Sequence, residues 1–180
     1  MVFEGEEGLD EGGVKKEFYR LVVERILMPD FGAFVYEEES RTVNFNRFGT
    51  LTTEQMRLLG ALVGIGVYNA CLLDIEFAPY IYGLLLGREP TMRDLAQYQP
   101  TLARSLQQLL DYDEPDLADV FALTYAVTVR NPTTGEMVTH ELRKGGADIP
   151  VTVYNRADYV QRYIRYGAEP VRSRAAPRKC

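Results

Sequence analysis

The sequence predicts an α+β fold, mostly helical, with short antiparallel β-hairpins. Three observations carry this reading. Apolar residues recur at helical spacing in several separate segments, and two other stretches alternate apolar and polar residues on either side of a turn. The segments also run helix, hairpin, helices, hairpin, helix, which argues against an alternating strand–helix sheet. With 180 residues, 46% of them hydrophobic, the chain is long enough to bury about 70% of its unfolded surface.

Taken in order, residues 1–13 are too rich in glycine and acid for a regular helix and read as a strand end and loop. Phe18, Leu21, Val22 and Ile26 give the next segment a buried helical face, and Pro29 ends it after Met28. Residues 31–46 read as a hairpin, with Phe34 and Tyr36 alternating on one strand, Val43 and Phe45 on the other, and a charged turn at Glu37–Ser40. Thr52 or Thr53 caps a helix from Glu54 to Ala70, in which Gly60, Gly64 and Gly66 predict close approach of another backbone. A turn or short strand follows, then a helix from Pro79 to Leu86. Thr91 caps the first of two short helices that Gln99 and Pro100 separate. After an acidic loop, a strand is expected from Ala122 to Val129, a turn at "NPTTGE", and a partner strand from Met137 to Leu142. Asn155 caps a last helix, Arg156 to Tyr166. The tail from Gly167 has no apolar period and is expected to be disordered.

The formal charge of −6 argues against a nucleic-acid partner, because phosphate binding needs a basic face. The apolar stretch Leu58–Leu86 is interrupted by Asn69, Asp74, Glu76 and Pro79, so it reads as buried helices rather than a membrane span. Two cysteines, Cys71 in an apolar run and Cys180 at the end, make no disulfide framework and point to a reducing compartment, the cytoplasm or nucleus.

The residues themselves form no catalytic constellation. The one histidine, His140, has no second ligand near it in sequence, and no G-x-S-x-G turn supports a triad. The glycines of "GALVGIG" lack the order of a nucleotide loop, and the acidic run Asp111–Asp119 lacks the spacing of an EF-hand. Cys71 sits among the apolar neighbours Ala70, Leu72 and Leu73, so it reads as core rather than as a nucleophile. No cofactor, metal or catalytic residue is expected. Read this way alone, the chain is an α+β domain with room for a binding groove.

Five stretches in order resemble the HECT domain of ubiquitin ligases: "FEGEEGLDEGGVKKEFY", "LVGIGVYNACLLDIEFAPYIYGLLLG", "PTMRDL", "PTLARSLQQLLDY" and "VTHELRKGGADIPVTVYNRADYVQRYIRY". The resemblance runs from Phe3 to Tyr166 and implies part of that domain's N-terminal lobe. It implies docking of a ubiquitin-conjugating enzyme carrying ubiquitin, and protein substrates recognised through regions outside this chain. The smaller subdomain that does the docking would span about residues 89–153. Its groove maps onto Leu102, Ser105, Leu106, Tyr112, Phe121 and Leu123, with Tyr159 and Tyr163 at its border; the alternative for each is ordinary core. The family's catalytic cysteine, in a threonine-cysteine-phenylalanine context of the C-terminal lobe, has no counterpart in these 180 residues, and the lobe's earliest helices are also missing. The chain is therefore expected to be inactive alone, as a truncated isoform or an incomplete gene model, with apolar faces uncovered around Leu58–Leu73. The competing expectation is an unrelated α+β structural or interaction domain with no role in ubiquitin transfer.

Overall fold

The computed structural model describes residues 13–168. The expectations for residues 1–12 and for 169–180 lie outside it. Among the described residues are seven α-helices and four strands: α1 (Gly13–Leu27), β1 (Phe34–Glu37), β2 (Thr42–Phe45), α2 (Thr53–Tyr68), α3 (Pro79–Leu85), α4 (Met92–Tyr98), α5 (Pro100–Asp111), α6 (Leu117–Phe121), β3 (Ala126–Arg130), β4 (Met137–Glu141) and α7 (Arg156–Ala168). Each strand pair is its own two-stranded sheet, so the α+β reading holds.

The chain divides into two units. Of the described residues, the first contains 13–35 and 43–76. Its core is built from α1 residues Tyr19, Val23 and Ile26 together with Phe34, Val43 and Leu59. The rings of Phe34 and Phe45 stack 5.7 Å apart across the hairpin. Of the two candidate caps for α2, Thr52 is the one used. Its hydroxyl accepts from the Gln55 N–H at 3.2 Å, and the Gln55 side chain accepts from the Thr52 N–H at 2.8 Å.

The three glycines of α2 do not behave as the sequence predicts. A Cβ at Gly60 or Gly64 would meet nothing within 4 Å. At Gly66 it would lie 3.0 Å from the Tyr19 ring and 3.1 Å from the Leu73 side chain, so the close approach is by side chains rather than another backbone. Cys71 is buried, as its apolar neighbours predict. The opposite side of α2 is exposed: Leu58, Ile65, Val67 and Tyr68 all stand open among the described residues, with Leu72 beyond them. Among those residues no helix is long and apolar enough to cross a membrane.

Of the described residues, the second unit contains 36–42 and 77–168. Three of its helices start where proline or a capping box dictates. Pro79 and Pro100 occupy first-turn positions of α3 and α5, where a missing N–H costs nothing. Thr91 and Asp94 exchange hydrogen bonds at the start of α4. Helix α5 packs on α4 and α7. Its buried positions Ala103, Leu106 and Leu109 repeat at the three-residue spacing of one helical face. Strands β3 and β4 pair antiparallel with Val127 opposite His140 and Val129 opposite Val138.

Two boundaries differ from the sequence reading. Helix α7 runs on through Gly167 to Ala168, which is 2% exposed, because packing of its apolar face outweighs the cost of one glycine. More consequentially, the strand expected from Ala122 begins only at Ala126. Phe121 instead closes the short helix α6, and Ala122 turns the chain with φ of 48°. Leu117 and Phe121 are four residues apart, a helical spacing hidden inside a segment whose acidic composition reads as loop. Beyond Ala122, the Val151 N–H donates to the Leu123 carbonyl at 2.8 Å and the Tyr125 N–H donates to the Ile149 carbonyl at 3.0 Å. This pairing ties the approach to β3 to the segment before α7.

Candidate functional site

All eight candidate groove residues fall within the second unit, but they do not play equal parts. Leu106 is 4% exposed and Tyr159 2% exposed, so both are core and support the surface rather than line it. Leu102, Tyr112, Phe121, Leu123 and Tyr163 are half-buried, and Ser105 is exposed. Leu102 and Leu106, four residues apart on α5, share a helical face that passes from surface to interior within one turn.

Tyr112 and Phe121 meet. Their ring centroids are 5.4 Å apart at 78°, an edge-to-face contact. A strand opening at Ala122 would set Phe121 and Leu123 on one face, because side chains alternate along a strand. The structure replaces this with a helix end, and the left-handed Ala122 between the two breaks any simple alternation. Tyr112 is the C-cap of α5, where the backbone leaves the helix in an extended conformation. Its hydroxyl donates to Asp116 Oδ1 at 2.8 Å. This hydrogen bond to a carboxylate holds the Tyr112 phenol above its ordinary pKa.

A second aromatic group lies on α7. Tyr159 makes edge-to-face contacts with Tyr125, at 5.5 Å, and with Tyr163, at 6.0 Å. Tyr125 is fully buried, and its hydroxyl donates to the Asn155 carbonyl at 2.8 Å. Asn155, expected as the helix cap, does something different with its side chain. Its Oδ1 accepts from the Thr152 N–H at 2.8 Å and its Nδ2 donates to the Pro150 carbonyl at 3.0 Å, pinning the loop that leads into α7.

Burial pushes the Tyr159 phenol up to about 12, with the neighbouring Tyr163 adding to the effect, and burial also raises Tyr125. An unfolded tyrosine titrates near 10. Between these values the folded chain keeps a proton that the unfolded chain has released. The stabilisation is therefore complete below about pH 10 and is lost as pH rises towards about 12. Thermal melts across this range are expected to show a falling midpoint, and Tyr159→Phe should flatten part of the fall. An equally steep fall in the variant would assign the effect to other groups.

Sequence reasoning missed Arg156. Its guanidinium donates to the Tyr112 carbonyl oxygen and to the Asp113 carboxylate, and its side chain is 16% exposed. A signal was available, because a cation in the first turn of a helix opposes the helix dipole and invites the question of what holds it there. Around this point lies the exposed acidic run of Asp111, Asp113, Glu114, Asp116 and Asp119. Among the described residues no group of three or more histidines, cysteines or acids is placed to hold a metal ion. The arrangement is an aromatic pair beside an exposed acidic surface.

The family model described as "HECT-domain (ubiquitin-transferase)" matches residues 20–173. The human probable E3 ubiquitin-protein ligase HERC4 is 37% identical over 166 residues, covering 92% of this chain and 16% of that protein. The mouse probable E3 ubiquitin-protein ligase HECTD2 is 37% identical over 180 residues, covering 92% of this chain and 23% of its own length. The E3 ubiquitin-protein ligase Smurf1 of Drosophila melanogaster is 34% identical over 168 residues, covering 91% of this chain and 15% of its own. The chain therefore spans a quarter or less of the length of these relatives, and by the extent and identity of these matches it belongs to the HECT-domain (ubiquitin-transferase) family.

Proposed function

We propose that this chain docks a ubiquitin-conjugating enzyme on behalf of a HECT-type ubiquitin ligase, using the surface around Tyr112 and Phe121. The observation that carries this reading is the half-buried edge-to-face pair of Tyr112 and Phe121 beside an exposed acidic run. Aromatic side chains that are partly covered at rest give up little conformational freedom on binding and are enriched among binding anchors. The acidic residues would steer a partner whose docking face is basic. Leu102, Ser105, Leu123 and Tyr163 are the further contacts, while Leu106 and Tyr159 hold the surface from beneath. The docking subdomain is taken as about residues 89–153. In this reading the chain supplies recruitment, the protein substrate is recognised by regions outside it, and the work is done in the cytoplasm or nucleus. Cys71 is buried and takes no part in thioester exchange.

Phe121→Ala tests the proposal. Anchor residues of this kind cost about 2 kcal/mol or more on truncation, roughly thirtyfold in affinity. Titration of the variant with a panel of conjugating enzymes is expected to show that loss while the circular dichroism spectrum is retained. A folded variant that binds as tightly as the parent would remove Phe121 from the interface.

A further inference from the structure

We infer that Arg156 is a positioning residue for the docking surface. It caps the end of α5 from a distance and thereby sets where Tyr112 meets Phe121. The inference rests on the docking reading above and adds to it a residue that does not itself touch the partner.

Three observations converge on this side chain. Helix α5 carries no basic residue in its last turn, and its terminal carbonyls need partners. Arg156 brings a positive charge to that end by donating to the Tyr112 carbonyl at the C-cap, where the α5 dipole favours a cation. The same guanidinium donates to the Asp113 carboxylate one residue later, so two consecutive residues of the chain leaving α5 are held by one planar group. Arginine suits this task because its fixed fork of donors can serve two acceptors at once, which a lysine ammonium does with less directional control.

Location supplies the third observation. Arg156 is the first residue of α7, where a cation is disfavoured by that helix's own dipole. Its side chain is nonetheless largely covered, at 16% exposure, while the Asp113 carboxylate it holds is 84% exposed. The energetic reason for its position therefore lies at the end of α5. From there the effect passes along a short path. The Tyr112 backbone is fixed by Arg156, its hydroxyl by Asp116, and its ring then stands edge-to-face with Phe121. With the guanidinium removed, the exit from α5 loses two charge-assisted hydrogen bonds, and the ring is tied only through its hydroxyl.

The test uses the whole chain and three variants, Arg156→Ala, Arg156→Lys and Asp113→Asn. Each is read by conjugating-enzyme titration and by the nuclear Overhauser contact between the Tyr112 and Phe121 rings. Arg156→Ala is expected to abolish the ring contact and weaken binding by roughly tenfold, the size of one charge-assisted hydrogen bond. Arg156→Lys is expected to restore part of both, and Asp113→Asn to lower both less than Arg156→Ala. If Arg156→Ala does not fold, the latter two variants carry the test by the same readouts. A ring contact that survives Arg156→Ala would overturn the inference, as would a lost ring contact with unchanged affinity. If the parent chain binds no conjugating enzyme, the docking reading falls. The ring contact would still decide whether Arg156 positions the aromatic pair.

Discussion

Tyr125→Ala is expected to be the most damaging substitution in the second unit, costing about 3–5 kcal/mol, a large share of a domain's stability. Tyr125 is fully buried, its ring meets Tyr159 edge-to-face at 5.5 Å, and the Arg143 guanidinium lies 5.2 Å from its ring centroid. Truncation would open a cavity under α7 and leave the Asn155 carbonyl without the Tyr125 hydroxyl. Tyr125→Phe separates these contributions. It keeps the ring and removes only the hydrogen bond, so about 1 kcal/mol is expected. Urea unfolding of the two variants, with the slope unchanged and the midpoint shifted, measures both. Near-equal losses would mean that the hydroxyl, not the ring, dominates.

Gly146→Ala should be nearly as harmful for the opposite reason. A Cβ there would lie 2.3 Å from the Tyr125 carbonyl oxygen and 3.0 Å from that residue's carbonyl carbon and Cβ. The obstructing atoms are largely backbone, so no rotamer change relieves the clash. The segment would have to move away from β3, at a cost of about 3 kcal/mol, the upper part of the usual range for overpacking. Its neighbour provides the control. Gly145 has φ of 70° and open space around its missing Cβ, so Gly145→Ala pays only for left-handed backbone, about 1–2 kcal/mol. Denaturant melts of both variants should rank Gly146→Ala as the worse, and the reverse order would mean that the loop yields more easily than its packing implies.

Much of the fold was legible in the sequence because its elements are locally determined. The threonine caps of α2 and α4, the Gln99–Pro100 break and the existence of the first hairpin express short-range rules of backbone geometry and hydrogen bonding, whereas Tyr36, read as alternating with Phe34, is 55% exposed while Phe34 is buried. The site was less legible, since it depends on which residues a tertiary fold covers. Leu102 and Leu106 look equivalent on a helical wheel, yet only Leu106 is buried where α5 meets its neighbours. Helix α6 escaped notice because its five residues are shorter than any reliable periodic signal and sit among carboxylates. Gly60 and Gly64 were misjudged because glycine in a helix permits close packing without requiring it, and here the space stays open. The role of Arg156 needs a partner 44 residues away in sequence, which no local pattern reveals.

The second unit is also not continuous along the chain. Its hairpin turn, residues 36–42, is separated from the rest by the whole of residues 43–76. The Gln99 amide donates to the Glu37 carboxylate at 2.8 Å, and the Thr101 N–H donates to Glu39 at 3.0 Å, contacts that each close a span of 62 residues. Closing a flexible loop of that length carries an entropic cost of several kcal/mol before any contact rewards it. The turn should therefore join late in folding, after the local helices of the unit have formed, and contact order rather than helix propensity should limit the rate. An excised piece beginning at Phe77 would leave Gln99 and Thr101, at the start of α5, without the carboxylates that secure them. The divide between the two units is thus a boundary in space that no single cut in the polypeptide can reproduce.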